Sequence, residues 1–465
     1  MERTLVAKTP ELVGQKVLVK GWVQARRDHG KLIFIDLRDR SGLMQVVFWG
    51  GGDEALFKKA DSLRSEYVVA ISGTVQKRSE NQVNKDLPTG MVELAAETLE
   101  VLAESATPPF EIDAVPGEVG ENTRLQYRYL DLRNPRMARN IRMRHKFIKE
   151  IRNFLDSEGF VEIETPILTK SSPEGARDFL VPSRLHHGEF YALPQAPQQF
   201  KQIAMIAGFE KYYQIAHCFR DEDLRGDRQP EFTQLDMEMS FVDQEDVLEI
   251  NERLFQTVIA KLYPDKKMPK KFPRLIYDEA ISKYKSDKPD LRKNKDDNDE
   301  LAFAWITEFP VFEKDESGKL TFAHNPFAAP KDEDLEKLYS DDEKTLLSMR
   351  SKAYDLVLNG YELSSGSIRI HDMQIQRRVF EMMGLNEHQI KERFGNFIEA
   401  FKYGAPPHGG MAPGLDRILM ILQEEPTIRE VIAFPKNGEM RDLMFGSPSP
   451  ATPEQLRELG IKTVE

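Results

Sequence analysis

The chain has little cysteine, little tryptophan and no long apolar run. Its 465 residues include one cysteine, Cys218, and three tryptophans. No stretch approaches the roughly 18 apolar residues that span a bilayer. A lone cysteine excludes internal disulfides and cysteine-based metal clusters, and it fits a reducing compartment. The first residues, MERTLVAKTPEL, lack the apolar core of a signal peptide. We therefore expect a cytoplasmic protein without a membrane segment, and the length predicts two or three domains.

Basic residues are fewer than acidic ones, which gives a net charge of −12. That balance by itself disfavours a nucleic-acid partner. Residues 1–108 are the exception, because they hold as many basic as acidic residues and place Arg26, Arg27 and Lys31 close together. A local basic patch can bind phosphates while the whole chain stays acidic. Net charge therefore leaves nucleic-acid binding open.

Five short strand patterns occupy the first hundred residues, with one helical pattern between the third and the fourth. The strand patterns are VLVKGWV, LIFIDLRD, LMQVVFW, YVVAISGTV and MVELAAETLEVL. Five strands and one helix fit an OB-type barrel, a fold that commonly binds single-stranded nucleic acid. We assign residues 1–103 to this domain. Residues 104–120 hold three prolines and two glycines and are typical of a linker.

Residues 121–465 begin with a helix pattern and a strand pattern. Ile148, Ile151 and Leu155 keep a helical spacing, and Gly159 fits a C-terminal cap. The next segment, FVEIET, alternates as a strand does and stops at a proline. The helix pattern by itself is equally typical of an ordinary helix that covers a core.

Two arginines indicate a nucleotide site. In the run FRDEDLRGDRQPEFTQLDME, two strand patterns flank a charged loop that begins at Arg220 and ends at Phe232. Arg417 follows later in GLDRILMIL. A guanidinium pairs with phosphate oxygens and an aromatic face stacks on adenine, so a nucleoside triphosphate would use both groups. A surface hairpin with solvated charges is the alternative from this segment alone.

The order of several motifs resembles one family. FRDE with RQPEF, GLDR and GFVEIETP resemble motifs 2, 3 and 1 of the class II aminoacyl-tRNA synthetases. Within that class, TKSSPEGARDFLVPSR, QFKQ, FTQLDMEMSF, GYELSSGSIRIHD and YGAPPHGG resemble the bacterial aspartyl type, from about residue 12 to the C-terminus. The resemblance implies an α+β protein, with an OB-fold barrel and a catalytic domain built on an antiparallel sheet flanked by helices. It also implies a homodimer formed through motif 1.

The implied activity is ATP-dependent aspartate–tRNA ligation, with ATP, L-aspartate, Mg²⁺ and tRNA-Asp as partners. Arg220 and Arg417 match the catalytic arginines of the family, and Asp355 and Glu362 match its metal-binding carboxylates. As bare sequence, the acidic pair is more typical of solvated helix-end charges. The residues that match ATP contacts are Arg220, Asp221, Glu222, Gln229, Phe232, Glu362, Gly414, Leu415, Asp416 and Arg417.

The residues that match aspartate contacts are Glu174, Gln198, Lys201, Arg220, Asp236, His324 and Arg369. Lys201 and Arg369 correspond to the pair that holds the side-chain carboxylate, whereas Glu174 and His324 correspond to flexible-loop residues. The chain departs from the family pattern at a few places. Ala196 replaces a serine, Ser364 and Ser365 replace a glycine pair, and Asn325 replaces the second histidine of a pair.

In the barrel, the resemblance implies that Arg27, His29, Phe34, Gln45 and Asn81 contact the anticodon. The strand pattern alone instead favours Phe34 as a core residue of LIFIDL. A histidine at the position of His29 is often found in family members that charge both tRNA-Asp and tRNA-Asn. We therefore expect a non-discriminating enzyme.

A domain that usually follows a DKPDLR-like segment in this family is replaced here by residues 293–300, KNKDDNDE. Eight consecutive polar residues cannot bury apolar surface, so we predict a short flexible loop. Other functions stay open at this stage. An amide-forming asparagine synthetase would lack the barrel. An asparaginyl-tRNA synthetase would differ in the PEGARD and QFKQ segments. An inactive RNA-binding paralog would have lost the catalytic arginines and the metal-binding carboxylates.

Overall fold

The computed structural model describes residues 1–171, 176–315 and 318–463. They form two compact units, Met1–Val119 and Gly120–Glu465. None of the helices within those described ranges combines the length and the apolar character that crossing a bilayer requires.

The first unit is a closed five-stranded barrel. Its elements are β1 (Lys16–Asp28), β2 (Leu32–Asp39), β3 (Gly42–Trp49), α1 (Glu54–Asp61), β4 (Val68–Lys77) and β5 (Val92–Ala103), with 3₁₀ turns at Val6–Glu11 and Glu80–Gln82. The strands close in the order β1-β2-β3-β5-β4. Asp53 caps α1 by accepting the Leu56 N–H at 3.1 Å. The predicted barrel, including its single helix, is confirmed.

The second unit is built on a mixed eight-stranded sheet. Its strands are β6 (Val161–Glu162), β9 (Lys211–Phe219), β10 (Glu231–Ser240), β11 (Arg274–Ile276), β12 (Phe303–Thr307), β15 (Ala353–Leu358), β16 (Tyr361–Ile368) and β17 (His408–Met411). Their order is β11-β12-β15-β16-β17-β10-β9-β6. The predicted antiparallel pairing holds for the central strands, but both edge pairs, β11 with β12 and β6 with β9, are parallel. Two small hairpins, β7 (Leu180–Pro182) with β8 (Phe190–Ala192) and β13 (Phe312–Lys314) with β14 (Leu320–Phe322), complete the strands.

Helices flank this sheet. They are α2 (Glu121–Gln126), α3 (Arg128–Asp131), α4 (Pro135–Ser157), α5 (Gln198–Ile206), α6 (Gln244–Leu262), α7 (Tyr277–Tyr284), α8 (Glu343–Leu347), α9 (Met373–Met382), α10 (Glu387–Phe401), α11 (Leu415–Leu422) and α12 (Pro453–Leu459). Short 3₁₀ segments lie at Asp332–Tyr339 and Ile428–Glu430. The predicted motif 1 helix is α4, and Gly159 follows it at a φ of 80°.

Strand β10 separates the apolar core from a polar face. Leu235, Met237 and Met239 point into the main core, where α4, α6 and α11 also bury their apolar side chains. Since side chains alternate along a strand, Gln234, Asp236 and Glu238 point to the opposite face of the sheet. The functional groups of the second unit therefore gather on the face away from the main core.

Close approach of neighbouring strands requires glycine beside this polar face. A Cβ at Gly410 of β17 would lie 2.0 Å from the carbonyl oxygen of Met237 and 2.2 Å from the Glu238 carboxylate. Contacts of that length do not occur, so a larger residue would push β17 away from β10. Gly410 thus keeps Glu238 in its buried position.

The loop at residues 293–300 makes hydrogen bonds within itself and to a neighbouring lysine. The backbone N–H groups of Lys293 and Asn294 donate to the Glu300 carboxylate at 3.1 and 3.3 Å. The Lys267 backbone donates to Asp299 O at 2.7 Å, and the Lys267 ammonium donates to Asp297 at 3.0 Å. These contacts define the path of the loop beside Lys267, whereas its flexibility stays a prediction.

Replacing residues 293–300 by a Gly/Ser linker of equal length is expected to leave tRNA aminoacylation within a few-fold of the parent. The reason is that no residue of the loop lines the large cavity on the polar face of the sheet. We expect a lower melting temperature, since the Lys267 ammonium loses Asp297 and Lys266 loses Asp299 while keeping Glu424. Charging assays and thermal melts check this. Loss of aminoacylation with intact amino-acid activation would show that the loop contacts tRNA.

Candidate active site

A cavity of about 860 Å³ lies on the polar face of the large sheet. Its floor comes from β10, β15 and β16, and its walls from the start of α5, the loop between β9 and β10, and the start of α11. Three segments that the sequence separates widely, around Arg220, Arg369 and Arg417, meet there. The structure therefore brings the predicted nucleotide and amino-acid residues into one cavity.

Four buried charges lie together at this cavity, and three of them, Lys201, Asp236 and Arg369, line it. The Lys201 ammonium donates to Asp236 Oδ1 at 2.8 Å and lies 3.3 Å from Glu238 Oε2. Arg369 Nε and Nη2 donate to the two oxygens of Glu238 at 2.9 and 3.1 Å. These four side chains are at most 2% exposed. Two cations facing two anions leave the cluster neutral before any ligand enters.

Burial raises the pKa of both carboxyls of this cluster, but the net shift differs between them. It raises the pKa of Asp236, and the neighbouring Lys201 offsets only part of that shift. Burial also works against the charge of Glu238, but Arg369 and Lys201 outweigh it and lower the pKa of that carboxyl. Glu238 is therefore the firmly ionised partner of both cations.

Two polar atoms in the same region are buried without a hydrogen-bond partner within the described ranges. They are Asp236 Oδ2, an acceptor, and Gln198 Nε2, a donor. A buried polar group without a partner is costly, and in a native protein it calls for an explanation such as a ligand or water. Both residues line the cavity, so a ligand that carries an ammonium group and a carboxylate would satisfy both atoms.

The β9–β10 hairpin presents the predicted arginine and phenylalanine together. The Arg220 guanidinium lies over the Phe232 ring, 5.0 Å from its centroid. The loop between them is shaped by Arg228, which donates to Glu222 at 3.2 Å. Gln229 is buried, and its Oε1 accepts the Lys436 N–H at 2.8 Å. The hairpin therefore offers an aromatic face and a partly exposed cation to the same space.

The second arginine is held at the start of α11. Arg417 Nη2 donates to Asp227 Oδ2 at 3.0 Å, and Nη1 donates to the carbonyl oxygen of Glu362. Its Nε is buried without a described partner. Asp227 belongs to the β9–β10 loop, so this ion pair connects that loop with the start of α11. This contact joins the two predicted nucleotide motifs.

The other predicted ATP residues have different surroundings. Asp416 lines the cavity but is buried, and its oxygens accept from Arg144 and from the Thr233 N–H, so it also ties α11 to α4 and β10. Leu415 is part of the core, and Gly414 donates its N–H to Leu363 O at 2.8 Å. Asp221 lines a smaller adjoining depression of about 540 Å³.

The acidic pair lies on two adjacent strands and not at helix ends. Asp355 is on β15 and Glu362 is on β16, and both line the cavity. The charge of Asp355, helped by burial, raises the pKa of Glu362. No group of three or more His, Cys, Asp or Glu in the described part of the chain is arranged to hold a metal. Two neighbouring carboxylates that line one cavity nevertheless fit Mg²⁺, which commonly takes one or two protein carboxylates.

His324 also lies in this cavity, 2.9 Å from Asp355 Oδ1. Burial disfavours the charged ring, but the carboxylates of Asp355 and Glu362 outweigh it and raise the pKa of His324. Glu174, the other predicted loop residue, lies outside the described residues. Ala196, which replaces the family's serine, lines the cavity.

Two family models match this chain. Residues 120–438 match the family model described as tRNA synthetases class II (D, K and N), which is more than half of the chain. The chain belongs to this class II tRNA synthetase family. Residues 17–102 match a second model, described as OB-fold nucleic acid binding domain.

Curated relatives of this class II synthetase share much of its sequence. A protein of Staphylococcus carnosus named aspartate–tRNA ligase is 42% identical over 579 positions, covering 98% of each chain. Proteins named aspartate–tRNA(Asp/Asn) ligase are 43% identical in Halothermothrix orenii, covering 97% of this chain and 96% of theirs, and 44% identical in a Thermoanaerobacter species, covering 98% and 97%. At least 114 of the 579 positions have no residue from this 465-residue synthetase. The relative therefore carries additional sequence, as the family's inserted domain would require.

Solved structures show the same fold for this synthetase. Asparaginyl-tRNA synthetase from Pyrococcus horikoshii, complexed with asparaginyl-adenylate, has a TM-score of 0.73, 24% identity, and coverage of 94% of this chain and 98% of its own. A putative aspartyl-tRNA synthetase from Leishmania major has a TM-score of 0.74, 22% identity, and coverage of 97% and 95%. At these identities the likeness concerns the fold alone.

The barrel of the synthetase carries its predicted anticodon residues on the outer surface. Ile33 and Ile35 are buried, whereas Phe34 lies between them on the outer face, 5.6 Å from the exposed His29 ring. The core interpretation of Phe34 is therefore wrong. On the same strands, Arg27 pairs with Asp36, Nη2 donating at 2.8 Å.

Gln45 is already hydrogen-bonded to two side chains of the synthetase barrel. Its Nε2 donates to Glu93 at 2.8 Å, and its Oε1 accepts from Arg78 at 3.2 Å. Neither Glu93 nor Arg78 was predicted as a site residue. Asn81 is exposed in the short 3₁₀ turn between β4 and β5. A base that binds Gln45 would meet Glu93 and Arg78 as well.

Sequence reasoning also missed two carboxylates that pair with the arginines of the synthetase cavity. Glu238 pairs with Arg369, and Asp227 pairs with Arg417. A signal for Glu238 exists in FTQLDMEMSF, because Gln234, Asp236 and Glu238 repeat at the two-residue period of one strand face. A polar row on a strand whose other face is apolar indicates a site.

Proposed function

We propose that this synthetase is an aspartate–tRNA ligase, which activates L-aspartate with ATP and transfers it to tRNA. The observation that carries the proposal is the neutral cluster of Lys201, Asp236, Glu238 and Arg369, with the unpartnered atoms of Asp236 and Gln198 beside it. Asp236 Oδ2 would accept from the α-ammonium group. Arg369 and Lys201 would hold the side-chain carboxylate. The names of the curated relatives support the same assignment.

One donor of Arg369 is available for that carboxylate. A guanidinium has five N–H donors. Four of them serve Glu238 twice, Ser367 Oγ at 2.7 Å and Gly410 O at 3.2 Å. The remaining Nη1–H belongs to a side chain that lines the cavity. Asparagine would bring an amide without the charge that this buried donor favours, and sites of this type discriminate by about 10⁴ or more.

The first chemical step needs electrostatic help more than a base. An oxygen of the aspartate α-carboxylate attacks the α-phosphorus of ATP, the bond to the bridging oxygen breaks, and pyrophosphate leaves. Arg220 would neutralise charge at the α-phosphate, and Arg417 would exchange Asp227 for the γ-phosphate. Asp355 and Glu362 would hold Mg²⁺, which when bound neutralises phosphate charge. In the second step a terminal ribose hydroxyl of tRNA attacks the aspartyl carbonyl and AMP leaves.

Pyrophosphate exchange into ATP with each amino acid in turn tests this proposal. We expect exchange with L-aspartate, and asparagine weaker by about 10⁴ in kcat/KM. Exchange that depends on asparagine or lysine, with none for aspartate, would contradict the substrate assignment. An absence of exchange with every amino acid would contradict the activity itself.

A homodimer and a cytoplasmic location belong to the same proposal. The predicted interface segment is α4 with the strand after it. Val161, Ile167 and Leu168 follow α4 and are 42%, 47% and 53% exposed. Exposed apolar residues grouped in one segment are typical of an interface. Sedimentation analysis of the purified protein tests the homodimer.

The same proposal includes tRNA-Asn as a second acceptor. His29 is exposed beside Phe34 in the β1–β2 loop, and a small polar ring there can accept either base at the third anticodon position. We expect aspartylation of unmodified tRNA-Asp and tRNA-Asn transcripts at similar kcat/KM. His29→Leu should favour tRNA-Asp. A preference of the parent for tRNA-Asp above about a hundredfold, ~2.7 kcal/mol, would contradict dual specificity.

A further inference from the structure

We infer that Asn325 and Ser365 are positioning residues that fix the ring of His324 and, through it, the carboxylate of Asp355. Both are positions at which the chain departs from the pattern of bacterial aspartyl enzymes, and the structure shows that both contact the same histidine. The inference rests on the proposed function, because Asp355 is one of the two carboxylates proposed to hold Mg²⁺.

The orientation of Asn325 is set by the backbone. The Phe327 N–H donates to Asn325 Oδ1 at 3.0 Å, so the oxygen end of the amide is assigned. The nitrogen end, Nδ2, then lies 3.3 Å from Nδ1 of His324. An amide nitrogen only donates, so Nδ1 must accept this hydrogen bond. The neutral His324 ring therefore carries its proton on Nε2.

That proton faces both Asp355 Oδ1 and Ser365 Oγ. Nε2 of His324 lies 2.9 Å from Asp355 Oδ1 and 2.7 Å from Ser365 Oγ. The Ser365 hydroxyl also donates to Oδ1, at 2.7 Å. The ring and the hydroxyl thus share one carboxylate oxygen. No hydrogen bond within the described ranges uses Oδ2, which leaves that oxygen available for a cation.

Packing fixes the ring on its remaining side. Phe309 meets His324 edge to face, with 5.1 Å between the ring centroids, and the side chain of His324 is only 13% exposed. Partners of this kind, which hold a metal ligand without touching the metal, usually decide how the ligand is oriented. Asn325 fixes the tautomer of the His324 ring, and Ser365 holds Asp355 Oδ1, the oxygen that it shares with that ring. Together they orient Asp355 towards its cation.

Asn325→Asp tests the tautomer directly, because it keeps the shape and replaces the donor by an acceptor. Long-range ¹H–¹⁵N correlation spectra of the free protein, recorded above the ring's own titration and assigned with His324→Gln, report which nitrogen is protonated. We expect the proton on Nε2 in the parent and on Nδ1 in Asn325→Asp. Asn386→Asp, the same change at an exposed helix cap, should leave the spectrum unchanged. A proton on Nδ1 in the parent, or no change in Asn325→Asp, would overturn the inference.

A kinetic test addresses the role of Ser365. Ser365→Ala should lower kcat for adenylate formation and raise the half-saturating Mg²⁺ concentration, each by about 10- to 100-fold, with KM for aspartate unchanged. Ser365→Thr, which keeps the hydroxyl, should restore both. A rise in KM for aspartate with kcat unchanged, or no rescue by threonine, would overturn the positioning role. Absence of exchange in the parent would overturn the proposed function and leave the spectroscopic result standing.

Discussion

Replacing Arg220 or Arg417 with alanine is expected to lower aspartyl-adenylate formation by at least about 10³-fold while the protein stays folded. Two anions must meet in this step, and each arginine would neutralise a different phosphate. Neither side chain belongs to the core. Arg220 is 38% exposed beside Phe232, and Arg417 is 24% exposed in contact with Asp227. The expected loss therefore falls on the reaction and not on folding.

Active-site titration and pyrophosphate exchange on the purified variants measure the effect, and circular dichroism checks the fold. Arg225→Ala is the matched control, since Arg225 is exposed in the same loop and does not line the cavity. That control should keep near-parental activity. If Arg220→Ala or Arg417→Ala still forms adenylate at a comparable rate, the role assigned to that arginine is wrong.

The barrel was predictable because its local patterns agree with its topology. Alternation within each strand and one short helix are properties of neighbouring residues, and the structure confirms them. The orientation of Phe34 was missed although a signal was present. Asp36 and Arg38 lie two and four residues further on the same strand, so they mark the outer face to which Phe34 belongs.

The ion cluster of the second unit could not be predicted from spacing. Lys201 and Asp236 are 35 residues apart, and Glu238 and Arg369 are 131 residues apart. Their meeting depends on how β10, β17 and β16 align, which is a property of the whole sheet. The resemblance to a family supplied Lys201, Asp236 and Arg369, but the pairing of Glu238 with Arg369 became visible only in the structure.

The hydrogen-bond partners of Asp416 give it a structural role in addition to the expected one. The sequence motif placed it among ATP contacts, but its carboxylate is taken by Arg144 and the Thr233 N–H. A motif records which residues occur together and does not separate ligand contacts from the groups that hold them. The buried partners show that Asp416 holds α11 against α4 and β10, while its contact with ATP stays a prediction because Asp416 also lines the cavity.

Arg369→Lys is expected to lower kcat/KM for aspartate by about a hundredfold or more, ~2.7 kcal/mol, while KM for ATP stays near the parental value. Lysine keeps the positive charge but has three donors and no planar fork. It cannot pair with both oxygens of Glu238 and also reach Ser367 and the ligand. Since Arg369 is 2% exposed, water cannot supply the missing hydrogen bonds, so we expect a lower melting temperature as well.

Pyrophosphate exchange at saturating ATP, with aspartate varied, separates recognition from stability when it is run well below the variant's melting temperature. Arg377→Lys is the matched control, because Arg377 is about half-exposed on α9. A folded Arg369→Lys with a large loss in kcat/KM for aspartate alone places the guanidinium against the substrate carboxylate. Near-parental kcat/KM would remove Arg369 from the pocket and leave it as the partner of Glu238. A parallel loss for ATP and aspartate would instead mean that the sheet around Gly410 had moved.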